Sequence, residues 1–259
     1  MLLDLYAGAI RDAAAREEII PLGQLQKIAL EVSEAIAPEQ YLYSPSHIRV
    51  IAEIKRASPS RGDLASIEDP GALARIYENA GAGAVSVLTE GRSFLGSLED
   101  LDEVRRAISI PVLRKDFIAN EYQILEARAH GADLVLLIVA GLDQKTLARL
   151  KLFIEQLGMT ALVETHSESE VLRACDIDSQ LIGVNARDLE SFKTDRSLFG
   201  RLSSLIPAGP IKIAESAVRS LADVEEYASF GADCVLVGET LVTGDAEELV
   251  SSFSKVKKP

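Results

Sequence analysis

The chain has 259 residues, of which 47% are hydrophobic and 26% are charged, and its formal net charge at pH 7 is −13. That acidic balance argues against a general nucleic-acid binder, which needs a basic surface, but it allows a small anion in a locally positive pocket. Two cysteines are too few for a disulfide framework, and the apolar run at 134–142 is too short to span a bilayer. Because the first residues lack a basic start and an apolar signal core, we expect a soluble, cytoplasmic protein with no membrane partner.

The predicted elements begin with one or two helices and a linker at 43–46, all within residues 1–48. From there onward, short apolar and β-branched runs alternate with longer amphipathic stretches, which is typical of βα units. The predicted strands, in chain order, are 49–55, 84–89, 111–115, 133–139, 160–164, 181–185, 211–216 and 234–239. The clearest helices between them are 69–81, 119–131, 142–158 and 220–231.

Start and stop signals support these helices. Asp69 before Pro70 predicts an N-cap followed by proline at the first helical position. Glycines predict the helix ends; they are Gly81, Gly131, Gly158 and Gly231. Eight units of about 26 residues each predict an α/β protein, a single (β/α)8 TIM barrel over 49–259 with an N-terminal helical extension over 1–48. An open doubly wound sheet is the alternative, disfavoured because no GxGxxG opening is present.

Polar side chains end five of the predicted strands, on the edge where barrel enzymes hold their active sites. These side chains are Glu53, Lys55, Lys115, Glu164, Asn185, Arg187 and Glu215. Alternation along the first strand puts Glu53 and Lys55 inside the barrel if the apolar residues between them face the helices. A single strand-end charge is usually a solvated terminus or a salt bridge. Buried charges cost several kcal/mol unless paired or used, so the convergence of so many predicts an active site.

Two later turns and one early loop predict a phosphate site at the same mouth. Ser216–Val218 and Gly238–Thr240 follow the last two strands, where many barrels bind phosphate through backbone N–H groups. The first loop, 57–62, adds hydroxyls, Arg61 and a flexible glycine. Glycine and serine are common in any turn, so the shared position carries the prediction.

The histidines and cysteines give no metal signature. The three histidines lack metal-ligand spacing, and no cluster of cysteine and histidine exists, so we predict no metal. Cys175 and Cys234 are interpreted as small core residues. His166 comes two positions after Glu164, close enough to contact the site, although we interpret it more simply as a loop histidine.

Several motifs together resemble the indole-3-glycerol phosphate synthase family. They are EIKRASPSRG (53–62), SVLTE (86–90), GS (96–97), LRKDFI (113–118), VE (163–164), GVNARDL (183–189), AES (214–216) and VLVG (235–238). These motifs cover the whole predicted barrel in family order, and the extension before them is also as the family has it.

The resemblance implies a lyase of tryptophan biosynthesis that uses no organic cofactor and no metal. Its substrate is 1-(2-carboxyphenylamino)-1-deoxyribulose 5-phosphate, and its products are indole-3-glycerol phosphate, carbon dioxide and water. By this resemblance Lys115 is the general acid, and Lys55 contacts the carboxylate and assists dehydration. Glu164 is the base or charge stabiliser, Glu53 orients Lys115, and Glu215 supports the lysines.

The resemblance also implies the binding residues. Asn185 positions hydroxyls, Arg187 pairs with the substrate carboxylate, and Phe117 covers the aromatic ring. The phosphate is held by side chains and backbone that include Ser58, Ser216, Ala217, Gly238 and Glu239.

Two positions depart from the family pattern. Ala217 stands where the family usually has glycine, and a positive φ there strains alanine by about 1 kcal/mol or more. Glu239 stands where some relatives have serine, and we expect its carboxylate to point away from the phosphate.

Other readings remain to be separated from this one. A sugar-phosphate barrel such as phosphoribosylanthranilate isomerase would use a Cys/Asp or Asp/Asp pair at its strand ends. A non-catalytic or redesigned barrel would keep the fold and lose the lysines. We further expect a monomer that acts on a small phosphorylated molecule.

Overall fold

Eight parallel strands close into a barrel in a computed structural model that describes residues 1–188 and 193–259. The barrel strands are β1 (Arg49–Ile54), β4 (Ala84–Leu88), β5 (Val112–Lys115), β6 (Leu134–Ile138), β7 (Thr160–Thr165), β8 (Leu181–Asn185), β9 (Ile211–Glu215) and β10 (Cys234–Val237). A separate hairpin contains β2 (Ala57–Ser58) and β3 (Gly62–Asp63). The (β/α)8 fold is confirmed. Leu189, which ends one of the motifs, lies outside the described residues.

Helices alternate with the barrel strands. They are α1 (Leu2–Ile19), α2 (Leu22–Glu31), α3 (Glu39–Leu42), α4 (Pro70–Asn79), α5 (Leu98–Ala107), α6 (Glu121–Ala129), α7 (Gln144–Gln156), α8 (Glu168–Asp176), α9 (Ser197–Leu202), α10 (Leu221–Ser229), α11 (Glu239–Thr243) and α12 (Ala246–Phe253). Short 3-10 turns occupy Val139–Gly141 and Ser203–Leu205. None of the helices within 1–188 and 193–259 is long and apolar enough to cross a bilayer.

The helix caps and the glycines that follow the helices lie where the sequence predicts them. The Asp69 carboxylate accepts a hydrogen bond from the Ala72 amide at 2.6 Å, and Pro70 opens α4. Gly81 and Gly131 follow their helices with φ values of +98° and +76°, a conformation that side chains with a Cβ disfavour. The predicted boundaries therefore differ from the observed ones by only one or two residues in most elements.

Strand register sets the polar residues at one level. Glu164 pairs with Ile138 and with Gly183 of the neighbouring strands, and Asn185 pairs with Glu215. These pairs lie at the carboxyl ends of β6 to β9, so their side chains meet at one mouth of the barrel. The alternation predicted from the sequence is confirmed by this arrangement.

The N-terminal extension packs across that same mouth. Tyr6 of α1 donates a hydrogen bond to the Ile138 carbonyl at 3.4 Å. A Cβ on Gly141 would lie 2.0 Å from the Tyr6 ring, so this close packing requires glycine. Arg16 holds α1 to α6 through two hydrogen bonds to Glu126, at 2.5 and 2.9 Å. The extension contains three helices where the sequence predicts one or two.

Candidate active site

A cavity of about 510 Å³ opens at the carboxyl ends of the strands. Every predicted site residue except Glu215 lines it: Glu53, Lys55, Ser58, Lys115, Phe117, Glu164, Asn185, Arg187, Ser216, Ala217, Gly238 and Glu239. Glu215 lies just beneath this lining, 1% exposed, and contacts Lys115. The cavity volume is in the range of small-molecule sites.

Five charged or titratable side chains form the bottom of the cavity, which we call the polar floor, and Lys115 lies at its centre. They are Glu53, Lys55, Lys115, Glu164 and Glu215. The Lys115 Nζ is 3.7 Å from Glu53 Oε2, 3.5 Å from Glu164 Oε2 and 3.4 Å from Glu215 Oε2. Burial lowers the pKa of Lys115, but the three carboxylates outweigh burial and raise that pKa above its ordinary value. Lys115 is therefore an ammonium at neutral pH.

Lys55 and Glu53 form the second ion pair of the floor. The Lys55 Nζ lies 2.8 Å from Glu53 Oε1. Burial raises the pKa of Glu53, but the charges of Lys55 and Lys115 outweigh it and hold the pKa below its ordinary value. Gly238 makes room for this pair, because a Cβ there would lie 2.4 Å from Glu53 Oε1.

Glu215 differs from the other two carboxyl groups. Burial and the neighbouring Glu164 carboxylate raise the pKa of Glu215 well above its ordinary value. In contrast, Lys115 and His166 overcome burial and hold the pKa of Glu164 below its ordinary value. Glu215 is consequently the carboxyl group of the polar floor that most readily holds a proton. The other two, Glu53 and Glu164, are ionised and lie close to Lys55 and Lys115.

Glu164 is fixed from two further sides. The Asn185 side-chain amide donates a hydrogen bond to Glu164 Oε1 at 3.1 Å. His166 Nε2 lies 3.3 Å from the same oxygen. His166 lies in the loop after β7, as the sequence predicts, and its ring also contacts a site carboxylate, the alternative that the sequence leaves open.

A buried arginine supports the segment after β5. Arg114 is fully buried and donates hydrogen bonds to Thr89 Oγ1 at 3.1 Å and to Asp116 Oδ2 at 3.0 Å. It also binds Glu126 at 3.3 Å, and Asp116 accepts a hydrogen bond from the Phe117 amide at 2.8 Å. This network fixes the backbone on both sides of Lys115.

An apolar wall stands beside the polar floor. The Phe117 ring packs edge-on against Tyr6, with centroids 5.7 Å apart, and tilted against Phe94, with centroids 6.1 Å apart. Leu136 and Ile138 line the same wall. Such a wall suits a planar aromatic ring.

The opposite end of the cavity is polar. Ser216 and Ala217 both have positive φ, at 69° and 59°, so the strained conformation anticipated for Ala217 is confirmed. Ser58 Oγ is buried and finds no hydrogen-bond partner in the part of the chain that the structure describes. Thr240 Oγ1 donates a hydrogen bond to the Val218 carbonyl at 2.5 Å, which joins the segment after β10 to the loop after β9.

Two arginines meet Glu239 at the rim. Arg61 donates to Glu239 Oε1 at 2.6 and 2.9 Å, and Arg187 lies 3.7 Å from Glu239 Oε2. Burial raises the pKa of Glu239, but Arg61 and Arg187 outweigh it and lower that pKa. Arg187 also donates to Ser60 Oγ at 2.9 Å. The orientation of Glu239 relative to a bound phosphate stays a prediction.

Sequence reasoning missed several residues of the cavity. Phe94 and the α1 residues Leu2 and Leu5 line it, although no motif marks them. The sequence analysis also does not predict the hairpin of β2 and β3. Arg56 anchors the base of this hairpin through an ion pair with Asp100. Within residues 1–188 and 193–259, acidic, cysteine and histidine side chains form no group that could hold a metal ion.

Comparison with known proteins identifies close relatives. The family model "Indole-3-glycerol phosphate synthase" matches residues 3–253. A protein of that name from Leifsonia xyli subsp. xyli is 55% identical over 256 residues, covering 99% of this chain and 98% of the relative. One from Parafrankia sp. is 55% identical, covering 97% and 94%, and one from Mycolicibacterium smegmatis is 53% identical, covering 98% and 93%.

Solved structures resemble the chain in fold. An N-acetylmannosamine-6-phosphate 2-epimerase from Clostridium perfringens has a TM-score of 0.58 and 14% identity, covering 80% of this chain and 93% of its own. A thiamine phosphate pyrophosphorylase from Pyrococcus furiosus has a TM-score of 0.59 and 11% identity, covering 81% and 94%. At these identities the likeness extends to the barrel fold alone.

Proposed function

The chain belongs to the indole-3-glycerol phosphate synthase family, and from that premise we propose how its residues divide the reaction. The enzyme closes the indole ring of 1-(2-carboxyphenylamino)-1-deoxyribulose 5-phosphate and releases carbon dioxide and water. Its product is indole-3-glycerol phosphate. The residue roles that follow are our proposal.

The observation that carries the proposal is the buried Lys115 ammonium among three carboxyl groups. A lysine kept charged is a proton donor and not a Schiff-base nucleophile, which must be a free amine. Lys115 therefore protonates the substrate carbonyl oxygen while the aromatic carbon attacks the carbonyl carbon. The proton-holding Glu215, 3.4 Å away, is placed to reprotonate the lysine afterwards.

Ring closure leaves positive charge on the substrate ring and nitrogen. The Glu164 carboxylate lines the cavity, 3.5 Å from Lys115, and stabilises this charge. Loss of carbon dioxide then returns the bonding electrons to the ring. In the last step a hydroxyl leaves as water with a proton from Lys55, and Glu164 accepts the proton lost from the neighbouring methylene carbon, so that the ring double bond forms. Glu53 orients both lysines.

The cavity walls match the three parts of the substrate. Phe117 covers the aromatic ring on the apolar side. Lys55 and Arg187 face the carboxylate, and Asn185 orients the hydroxyl groups. The phosphate lies at the polar end against residues that include Ser58, Ser216, Ala217, Gly238 and Glu239. We further propose a cytoplasmic monomer with neither nucleic-acid nor membrane partners, in keeping with the net charge of −13.

Alanine substitutions at three lysines test the assignment. Lys115→Ala is expected to lower kcat by about 10²-fold or more, the loss typical of a general acid, and Lys55→Ala to lower kcat as well. Lys212→Ala is the matched control, because Lys212 lies on β9 and its Nζ donates to the Ser203 carbonyl at 2.9 Å, away from the cavity. Formation of indole-3-glycerol phosphate is followed by fluorescence. Full activity of Lys115→Ala would overturn its role.

A further inference from the structure

Three charged side chains follow one another at the loop after β7, and we call them the charged bridge. They are Glu170, His166 and Glu164, the proposed charge stabiliser. His166 Nε2 is 3.3 Å from Glu164 Oε1, and His166 Nδ1 is 3.3 Å from Glu170 Oε2. Each ring nitrogen thus faces a carboxylate oxygen. His166 Nδ1 is hydrogen-bonded to Glu170, whereas Nε2 makes no hydrogen bond within residues 1–188 and 193–259 and meets Glu164 as a charge pair. Two carboxylates flanking one ring favour its charged, imidazolium form.

The far end of the bridge is anchored by a helix start. Ser167 is the N-cap of α8, and its Oγ accepts a hydrogen bond from the Glu170 amide at 3.4 Å. The Glu170 carboxylate accepts from the His166 amide at 2.9 Å and from Ser167 Oγ at 3.2 Å. These hydrogen bonds at the start of α8 hold Glu170, and Glu170 in turn holds the histidine ring.

The near end leaves one oxygen of Glu164 available. Oε1 accepts a hydrogen bond from the Asn185 amide and lies 3.3 Å from His166 Nε2. Oε2 is buried and accepts no hydrogen bond from any residue in 1–188 or 193–259, although Lys115 lies 3.5 Å from it. Asn185 and the bridge therefore fix the orientation of the Glu164 carboxylate through Oε1.

We propose that His166 is a positioning residue, which holds the Glu164 carboxylate ionised and in a fixed orientation in the site, and that Glu170 holds His166 in place. The inference rests on the role proposed for Glu164. His166 itself stands behind the carboxylate and does not line the cavity.

The charges around the bridge support this role. Facing Glu164 are Lys115 of β5, Glu215 of β9, Glu53 of β1 and the Tyr6 hydroxyl of α1. Burial lowers the pKa of His166, but Glu164 and Glu170 outweigh burial and raise it to about 10. His166 thus remains a cation throughout the range in which the enzyme is assayed.

The sign of the expected pH effect follows directly. Replacing His166 by a neutral residue removes a cation beside Glu164, which raises the pKa of that carboxyl group. As the pH is lowered, activity that needs ionised Glu164 is therefore lost at a higher pH in the variant than in the wild type. The substrate phosphate titrates near pH 6 in every variant, so the comparison between variants is what counts.

The kinetic test compares His166→Gln with His130→Gln between pH 5 and 9. His130 is also paired with a carboxylate, Asp102 at 2.8 Å, but lies at the end of α6 outside the cavity. We expect His166→Gln to lose about tenfold in kcat across this range because the Glu164 carboxylate is misplaced, to keep KM within about twofold, and to lose more activity than the wild type at the acidic end. His130→Gln is expected to match the wild type. A His166→Gln profile superimposable on the wild type would overturn the inference.

Two further measurements separate the possible failures. In wild-type enzyme labelled with ¹⁵N-histidine, the His166 ring should show protons on both nitrogens at pH 8, and a singly protonated ring there would overturn the inference. Because this spectrum needs no turnover, it holds even if His166→Gln fails to fold. Full activity of Glu164→Gln would instead refute the role proposed for Glu164, and an inactive wild type would refute the function.

Discussion

Gly183→Ala tests whether the placement of Glu215 matters for catalysis. Gly183 lies in β8, and a Cβ added there would be 2.0 Å from Glu215 Oε1 and 3.4 Å from Leu162 Cδ1. An ordinary contact needs more than about 3 Å, so the Glu215 carboxyl group must move by about 1 Å or more. That movement breaks its 3.4 Å contact with Lys115.

The two expected consequences differ in size. Misplacing a catalytic group by about 1 Å costs on the order of 10²-fold in rate, so we expect kcat to fall by about that factor. The crowded atom is the end of a flexible side chain, and overpacking of this kind costs about 1 to 3 kcal/mol in the free energy of unfolding. For a chain of this size the midpoint of thermal unfolding falls by roughly 2 to 12 °C.

The assay combines product fluorescence with calorimetry on the same preparations. Gly23→Ala is the control, because Gly23 lies in α2 and nothing stands within 4 Å of an added Cβ. It should leave kcat unchanged and stabilise the protein by roughly 0.5 to 1 kcal/mol. A folded Gly183→Ala enzyme with kcat within twofold of the wild type would refute the reasoning about Glu215.

Three further substitutions probe the supports of the site. Ala217→Gly relieves a positive φ of 59° and should raise the free energy of unfolding by up to about 1 kcal/mol in urea titrations, whereas a loss of that size would count against it. Arg114→Met leaves Asp116 buried without its cation and Glu126 with Arg16 alone, and it should cost about 3 to 5 kcal/mol; a loss under 1 kcal/mol would disprove the network's importance. The pKa of Glu215 is raised on folding, so its contribution to stability is present below its unfolded pKa and declines as pH rises through the folded pKa. Glu215→Gln should abolish that decline in urea titrations at pH 5, 7 and 9, and an unchanged pH dependence would contradict the raised pKa.

The barrel and the polar floor could be predicted because both follow from short-range rules. Alternation along β1 fixes the face of Glu53, and parallel strands bring their carboxyl ends to one mouth, so Lys115 and Glu164 had to meet there. Applied to β8, the same alternation places Gly183 on the inward face together with Asn185. Close contact with Glu215 explains why that position is glycine.

What the sequence concealed depends on contacts between distant segments. Phe94 reaches the cavity from the loop after β4, and its contact with Phe117 is set by tertiary packing. His166 bears no distinguishing motif, and its role emerges only when the start of α8 fixes Glu170 beside it. The pairing of Arg61 with Glu239 joins residues 178 positions apart, which no local pattern indicates.

The most direct test of the central claim is a product analysis of the purified wild-type protein given 1-(2-carboxyphenylamino)-1-deoxyribulose 5-phosphate. The account predicts indole-3-glycerol phosphate and carbon dioxide in a one-to-one ratio, with no added metal or cofactor. A folded protein that forms neither product, or that instead isomerises phosphoribosylanthranilate, would contradict it.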